Sequence, residues 1–388
     1  MRCESSIVHQ RFDELDSLRG FAATIVVLNH FFLATNSTGS KEDLLRTLVN
    51  PFQNGPTAVT LFFLISGFVL ALPVWRANPQ NYCVFIVRRI CRIYLPYLFG
   101  LALSVLGASF FASRSIAGLS QWFYGTWTGP VDWRLVLKHI LFVGPSYNAR
   151  EFNTAFWTLI IEMRVSIIFP FFLLVLRRMS FTGMWLLAAV TWGIGIVSQP
   201  TVIKGFSAFE ILGWTSMFIT GSIIARAVFL QSSHISRLFA LRSVAFLSLA
   251  AFLFTPYLKP YISLPLSGPV TGCLSVASGL ATICAALYNR DLRSFLNMSF
   301  PRFLGRISYS LYLLHATVLY VIFHLLYGLL PKGVIFVLYL AISFLVAAIS
   351  YKLIEKPAID LGRRLTRERG ILARLPEGIA SLVLQRST

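Results

Sequence analysis

The chain has 388 residues, of which 56% are apolar and 13% charged, with a mean hydropathy of +0.71. Long apolar runs recur from Leu18 to Lys352, too close together for an ordinary soluble domain to fit between any two, which excludes a soluble multidomain protein. The net charge of +19 does not signal nucleic acid: with a cytoplasmic N-terminus and ten crossings, 24 of the 34 Lys and Arg residues fall inside, nine fall outside and Arg164 lies within a span, which is the positive-inside bias.

Crossing a hydrocarbon core takes about 20 mainly apolar residues as a helix, because an open backbone finds no water there. Ten segments qualify, near residues 17–35, 56–75, 93–112, 154–176, 183–199, 209–229, 240–257, 269–288, 306–329 and 333–353. The expectation is an all-α polytopic membrane protein with both termini cytoplasmic. Residues 1–356 form one transmembrane domain, and 357–388 form a basic tail able to lie on an anionic leaflet. The first segment follows a basic stretch like a signal peptide but has no small-residue cleavage site, so it reads as an uncleaved span.

Five cysteines make no disulfide framework, since Cys3, Cys83 and Cys91 fall on the reducing side and Cys273 and Cys284 in one apolar run. No His or Cys set has metal-ligand spacing. Asn36-Ser37-Thr38 is a glycosylation sequon in an outer segment. Connections are short and carry breakers, as at Gln199-Pro200, Lys259-Pro260 and Leu330-Pro331-Lys332-Gly333. The exception is the outer stretch from Ser113 to Asn153, which holds Trp122, Tyr124, Trp127 and Trp133 and then WRLVLKHILF, an apolar spacing that suits a short interfacial helix. It reads as an aromatic belt or as the cover of a site.

Ionisable groups within spans cost roughly 2.5 to 3.5 kcal/mol on insertion scales, so each is a functional hypothesis. In LDSLRGFAATIVVLNH, Arg19 and His30 are eleven residues apart, which places them within ~20° of one another and about 16 Å apart along a helix. Arg19 also suits a snorkelling anchor neutralised by Asp13, Glu14 and Asp16. His30 needs a hydrogen-bond partner inside the span, and an imidazole is the base that hydroxyl activation requires. By depth alone that partner is Glu162, while Arg164, about 200° from Glu162 on the same helix, needs a different one.

In VRRICRIYLPY, Arg89 and Arg92 stand at i and i+3 and match phosphate oxygens as well as they match topology anchoring. In GRISYSLYLLH, Ser308, Tyr312 and His315 fall at i, i+4 and i+7 on one stripe, suited to a cavity or to interhelical hydrogen bonds. His139 and His324 read as structural.

These segments together resemble the acyltransferase family 3 membrane proteins, which O-acylate envelope glycans and some small natural products. The resemblance covers nearly the whole chain and rests on LDSLRGFAA with its following His, LFFLISGFVL, RRICRIYLPY, FWTLIIE, ISYSLYLLH and YKLIEKP. It implies that Arg19, His30, Arg89, Arg92 and Glu162 serve the activity. The sequence departs from the family pattern after Glu162, where Met163, Arg164, Val165 and Ser166 follow. Relatives often continue into an esterase-like domain, so this chain is expected to act alone, as a homo-oligomer or with a separate envelope partner.

The implied reaction moves an acyl group, most simply acetyl, from cytoplasmic acyl-CoA to a hydroxyl of a carbohydrate or lipid-linked glycan, at the cell inner membrane and with no permanently bound cofactor. Arg19, Arg89 and Arg92 would hold the donor. His30 with Glu162 would either deprotonate the acceptor or carry the acyl group, and Tyr312 or Arg164 would face the oxyanion. The alternatives are a transporter, in which the same stripes line a path, and a non-catalytic scaffold.

Overall fold

The computed structural model describes residues 12–36, 52–76, 80–112, 116–142, 148–198, 208–230, 233–255, 257–258 and 267–367. Cys3, the sequon's Ser37 and Thr38, the breakers Gln199-Pro200 and Lys259-Pro260, and the tail beyond Arg367 lie outside them.

The regular structure of the described residues is all helical, apart from one isolated β-bridge between Tyr327 and Leu330. In order, the helices are α1 (Asp13–Thr35), α2 (Gly55–Trp75), α3 (Tyr82–Phe111), α4 (Trp133–Leu141), α5 (Phe156–Leu176), α6 (Phe181–Ser198) and α7 (Ala208–Phe229). They continue with α8 (Ser233–Ala240), α9 (Arg242–Phe254), α10 (Ser267–Tyr288), α11 (Arg290–Leu296), α12 (Ser299–Leu326) and α13 (Lys332–Leu365). Two of these helices carry π-helical turns, α3 at Ile90–Tyr94 and α13 at Tyr351–Glu355. The first contains Arg92 and the second ends on the buried Glu355.

Every expected span is found as a helix, but not all are equal. Eight are long and apolar enough to cross a membrane alone. Helices α8 and α9 bend by 81° where Leu241 separates them and make a ninth if the pair is taken as one broken span. The apolar part of α6, Phe181–Ile196, is shorter than a full crossing. The chain is thus an all-α, multi-pass membrane protein.

In lipid, helices gain little by hiding apolar surface from one another, so close packing of small residues and interhelical hydrogen bonds hold them together. The packing of α1 on α12 shows this. A Cβ on Gly20 would lie 2.5 Å from the Leu304 carbonyl carbon, and one on Gly305 would lie 2.6 Å from that of Asp16. Only glycine permits this approach. Ser17 donates to the Leu296 carbonyl at 2.7 Å, and Tyr339 of α13 donates to the Val27 carbonyl at 3.2 Å. Phe31, Phe323 and Tyr339, each at most 1% exposed, interlock above this crossing.

The stretch between α3 and α5 is a packed cover rather than a simple aromatic belt. Trp127 is 5% exposed, takes a positive φ of 55° and donates from its indole nitrogen to the Phe152 carbonyl at 2.9 Å. Tyr320 of α12 donates to the Phe123 carbonyl at 3.1 Å, and Ser120 donates to Leu33 at 2.6 Å. Helix α4 forms where WRLVLKHIL predicts it, capped by Asp132, which accepts from the Arg134 amide at 2.9 Å. Trp133, 69% exposed, is the residue of this stretch that suits a belt. His139 is buried, with its Nε2 donating to the Asn148 carbonyl and its Nδ1 accepting from Tyr97 at 2.8 Å. Burial holds its pKa down to about 4.

Candidate active site

Helices α1 and α12 run parallel, so the ten-residue steps from Gly20 to His30 and from Gly305 to His315 climb side by side. The glycine crossing below therefore delivers the two imidazoles to one another above it, with His315 Nε2 and His30 Nδ1 2.8 Å apart. His315 is fully buried, and its Nδ1 stands 3.1 Å from the Leu311 carbonyl.

That chain of contacts fixes the tautomers. A carbonyl only accepts, so His315 carries its proton on Nδ1 and presents a lone pair at Nε2. His30 must then donate from Nδ1, which leaves the lone pair of its Nε2 available to the cavity that His30 lines. The expected His30–Glu162 pair is not formed. Glu162 instead accepts from Ser66 at 3.1 Å and pairs with Arg89 at 3.7 Å, well away along α5. Equal depth on two helices did not make them neighbours, because α12, with His315, fills the place beside His30.

His30 opens into a chamber of about 560 Å³. Its walls carry Trp122, Trp157, Trp192 and Trp214 together with Asn29, Arg150, Thr154 and Tyr312. The Trp122 ring lies 4.9 Å from that of His30, and Thr154 stands 3.5 Å from His30 Nδ1. Asn153, next to Thr154, donates to Leu313 and Thr317 at 3.1 and 3.0 Å and so ties the start of α5 to α12.

A second cavity, a cleft of about 70 Å³, lies on the far side of Tyr312 and Val59, which line both. Here the structure gathers Arg19, Arg89, Arg92, Glu162, Ser308 and Tyr312 as the sequence stripes suggest, and adds Ser66 and Tyr309. The π-helical turn begins directly after Arg89 and contains Arg92. Of the three acidic residues expected to neutralise Arg19, Asp16 does so at 3.3 Å, whereas Asp13 pairs with Arg302 and Glu14 with Arg293. With Glu162 on Arg89 and Asp16 on Arg19, the three guanidinium groups still outnumber the carboxylates paired with them, which leaves the cleft suited to an anion.

Ser308 donates to its own helix at Gly305, 2.9 Å away. Tyr312 is also committed. Thr158 gives its single hydroxyl proton to the Ala155 carbonyl at 2.9 Å, so at 2.8 Å it accepts from Tyr312. Tyr312 thus stands as a partition between the cavities, with its proton turned toward α5. Arg164 lines neither cavity; it donates to the Phe142 carbonyl at 3.0 Å, where it holds the end of α4, and the expected role at an oxyanion does not fit this position.

Sequence reasoning also missed Glu355 of YKLIEKP, which is 4% exposed and accepts from Ser310 at 2.6 Å. Its signal was a carboxylate at the end of an apolar run. Trp122 belongs to the stretch that reads as a belt or as the cover of a site, whereas Trp157 and Arg150 carried no such signal, because tryptophans and single arginines are ordinary near a membrane surface.

The family model described as an acyltransferase domain matches residues 12–352. The chain belongs to acyltransferase family 3. Over 91% of this chain and 93% of the relative, it is 26% identical to "Acyltransferase MdmB" of Streptomyces mycarofaciens. Over 92% of this chain and 96% of the relative, it is 24% identical to "Nodulation protein 10" of Rhizobium leguminosarum bv. viciae. No solved structure matches. The protein is therefore a membrane acyltransferase, and the transporter and scaffold alternatives fall away. In this acyltransferase the match spans both cavities, from Arg19 on α1 to Ser308 and Tyr312 on α12.

Proposed function

We propose that this acyltransferase moves an acetyl group from acetyl-CoA to a hydroxyl of a carbohydrate or lipid-linked glycan, with His30 as the general base. The observation that carries the reading is the 2.8 Å bond from His30 Nδ1 to His315 Nε2 beside an aromatic chamber, one tyrosine away from a three-arginine cleft.

The donor's phosphates sit at Arg19, Arg89 and Arg92, and Glu162 keeps Arg89 in place. Under the positive-inside arrangement this cleft faces the cytoplasm, where acetyl-CoA is found, both termini lie inside, and the membrane is the cell inner membrane. The cleft is too small for a pantetheine arm, so donor entry widens it. The acceptor enters the chamber, where tryptophan faces suit the C–H faces of sugar rings.

Chemistry follows from the tautomer. His30 Nε2 takes the acceptor's hydroxyl proton as its oxygen attacks the thioester carbonyl. The carbon–oxygen bond forms, the carbon–sulfur bond breaks, and the thiolate leaves to be protonated. As His30 becomes an imidazolium, its Nδ1–H bond to His315 strengthens, a part that a carboxylate plays in nucleophile-activating triads.

The test is transfer of labelled acetyl from acetyl-CoA into the glycan fraction of membranes carrying the protein, beside membranes lacking it. Label dependent on the protein, and reduced by Arg89→Ala, is expected. Absence of label, with an equal signal from a longer acyl-CoA, would contradict acetyl as the group transferred.

A further inference from the structure

Among the described residues that line the chamber, Arg150 is the single one with a formal charge. It sits in the connection just before α5, and its guanidinium carbon lies 5.4 Å from the centre of the Trp157 ring. A stack on an aromatic face holds the guanidinium without using its five N–H donors. The acidic neighbour does not consume them: Glu151 is occupied by the Thr128 amide and hydroxyl and by Asn148, at 2.7 to 2.9 Å. Arg150 lines the same chamber as His30 and Tyr312. Trp214, 5.3 Å from Trp157 ring to ring, extends the aromatic wall beside it.

We propose that Arg150 and Trp157 form a recognition subsite for an anionic group, phosphate or carboxylate, on the carbohydrate acceptor. This rests on the chamber's being the acceptor site. A cation over an aromatic face, with no side-chain hydrogen bond and no carboxylate among the described lining residues, favours an acceptor that brings its own negative charge; a neutral sugar would leave its donors to water. The subsite fixes which hydroxyl reaches His30, because a ring anchored by its charge at Arg150 presents one edge to the imidazole. Arg150 is thus a specificity residue, distinct from the arginines of the donor cleft.

The test uses the full chain in phosphatidylcholine nanodiscs. It reads tryptophan fluorescence on titration with glucose-1-phosphate, glucuronate and glucose, with CoA present throughout to occupy the donor cleft. Wild type is expected to bind at least one anionic sugar about tenfold more tightly than glucose, and the two anionic arms tell phosphate from carboxylate. Arg150→Gln erases the preference, Arg150→Lys keeps part of it, and His30→Ala, which leaves the guanidinium in place, keeps it. Equal affinity for the three sugars, no binding of any, or a preference that survives Arg150→Gln overturns the proposal. Thiol release from acetyl-CoA by the same preparations reads the transferase proposal separately, so the failure of one is distinguishable from the failure of the other.

Discussion

Gly20 and Gly305 each lie against the other's helix ten residues before His30 and His315 meet, so a backbone crossing sets the spacing of the imidazole pair. Gly20→Ala or Gly305→Ala places a methyl about 2.5 Å from carbonyl carbons of the facing backbone and forces α1 and α12 apart. Overpacking of this kind costs roughly 1–3 kcal/mol. Thermal unfolding in detergent is expected to fall and acetyl transfer to fall with it. Gly333→Ala, which meets nothing within 4 Å, is expected to change neither.

Glu162 holds Arg89 rather than His30, and this changes which kinetic constant it governs. Glu162→Gln is expected to raise KM for acetyl-CoA about tenfold while kcat falls much less. If Glu162 instead oriented the base, kcat would collapse at unchanged KM. Steady-state kinetics with varied donor separates the two.

Tyr312 and Val59 are the shared wall of the arginine cleft and the aromatic chamber, which the proposed reaction assigns to donor and acceptor. Tyr312→Phe removes the hydroxyl bonded to Thr158 but keeps the wall, and is expected to keep activity within about tenfold, the cost of one hydrogen bond. Tyr312→Ala merges the cavities and admits water to the thioester. The ratio of thiol released to ester formed should rise in Tyr312→Ala and stay near wild type in Tyr312→Phe.

His139 supplies a pH dependence of stability. Its ordinary pKa of 6.5 is held down to about 4 by burial, so the folded protein keeps it neutral where the unfolded chain protonates it. The stability it contributes is complete above pH 6.5 and is lost as pH falls from there towards 4, by at most about 1.4 kcal/mol per pH unit. Unfolding midpoints for wild type and His139→Gln measured across that window should converge as the pH falls.

Much of the fold was legible because spans announce themselves. About 20 apolar residues with breakers between them mark a crossing, and LFFLISGFVL and FWTLII needed nothing more. Phe181–Ser198 and the bent α8–α9 pair read less well, since apolar length does not reveal how a segment bends. The arginine cleft was legible as three stripes, Arg19, Arg89 with Arg92, and Ser308 with Tyr312, because periodicity reports which side chains share a face. Pairing between helices was not legible. His30 and Glu162 match in depth, but depth fixes one coordinate and packing fixes the other two; the Gly20–Gly305 crossing chose His315. Arg150 was invisible for a related reason: a lone arginine in a connection gains meaning only when a chamber forms around it.

The central claim is that His30 is the base and His315 orients it. Its most direct test is the rate of labelled acetyl transfer from acetyl-CoA by wild type, His30→Ala, His315→Ala and the double variant, at matched protein levels. The expected result is no transfer above background for His30→Ala, a fall of about a hundredfold in kcat for His315→Ala with KM for the donor unchanged, and no further loss when His315→Ala is added to His30→Ala. Transfer by His30→Ala, or a wild-type rate from His315→Ala, would contradict it.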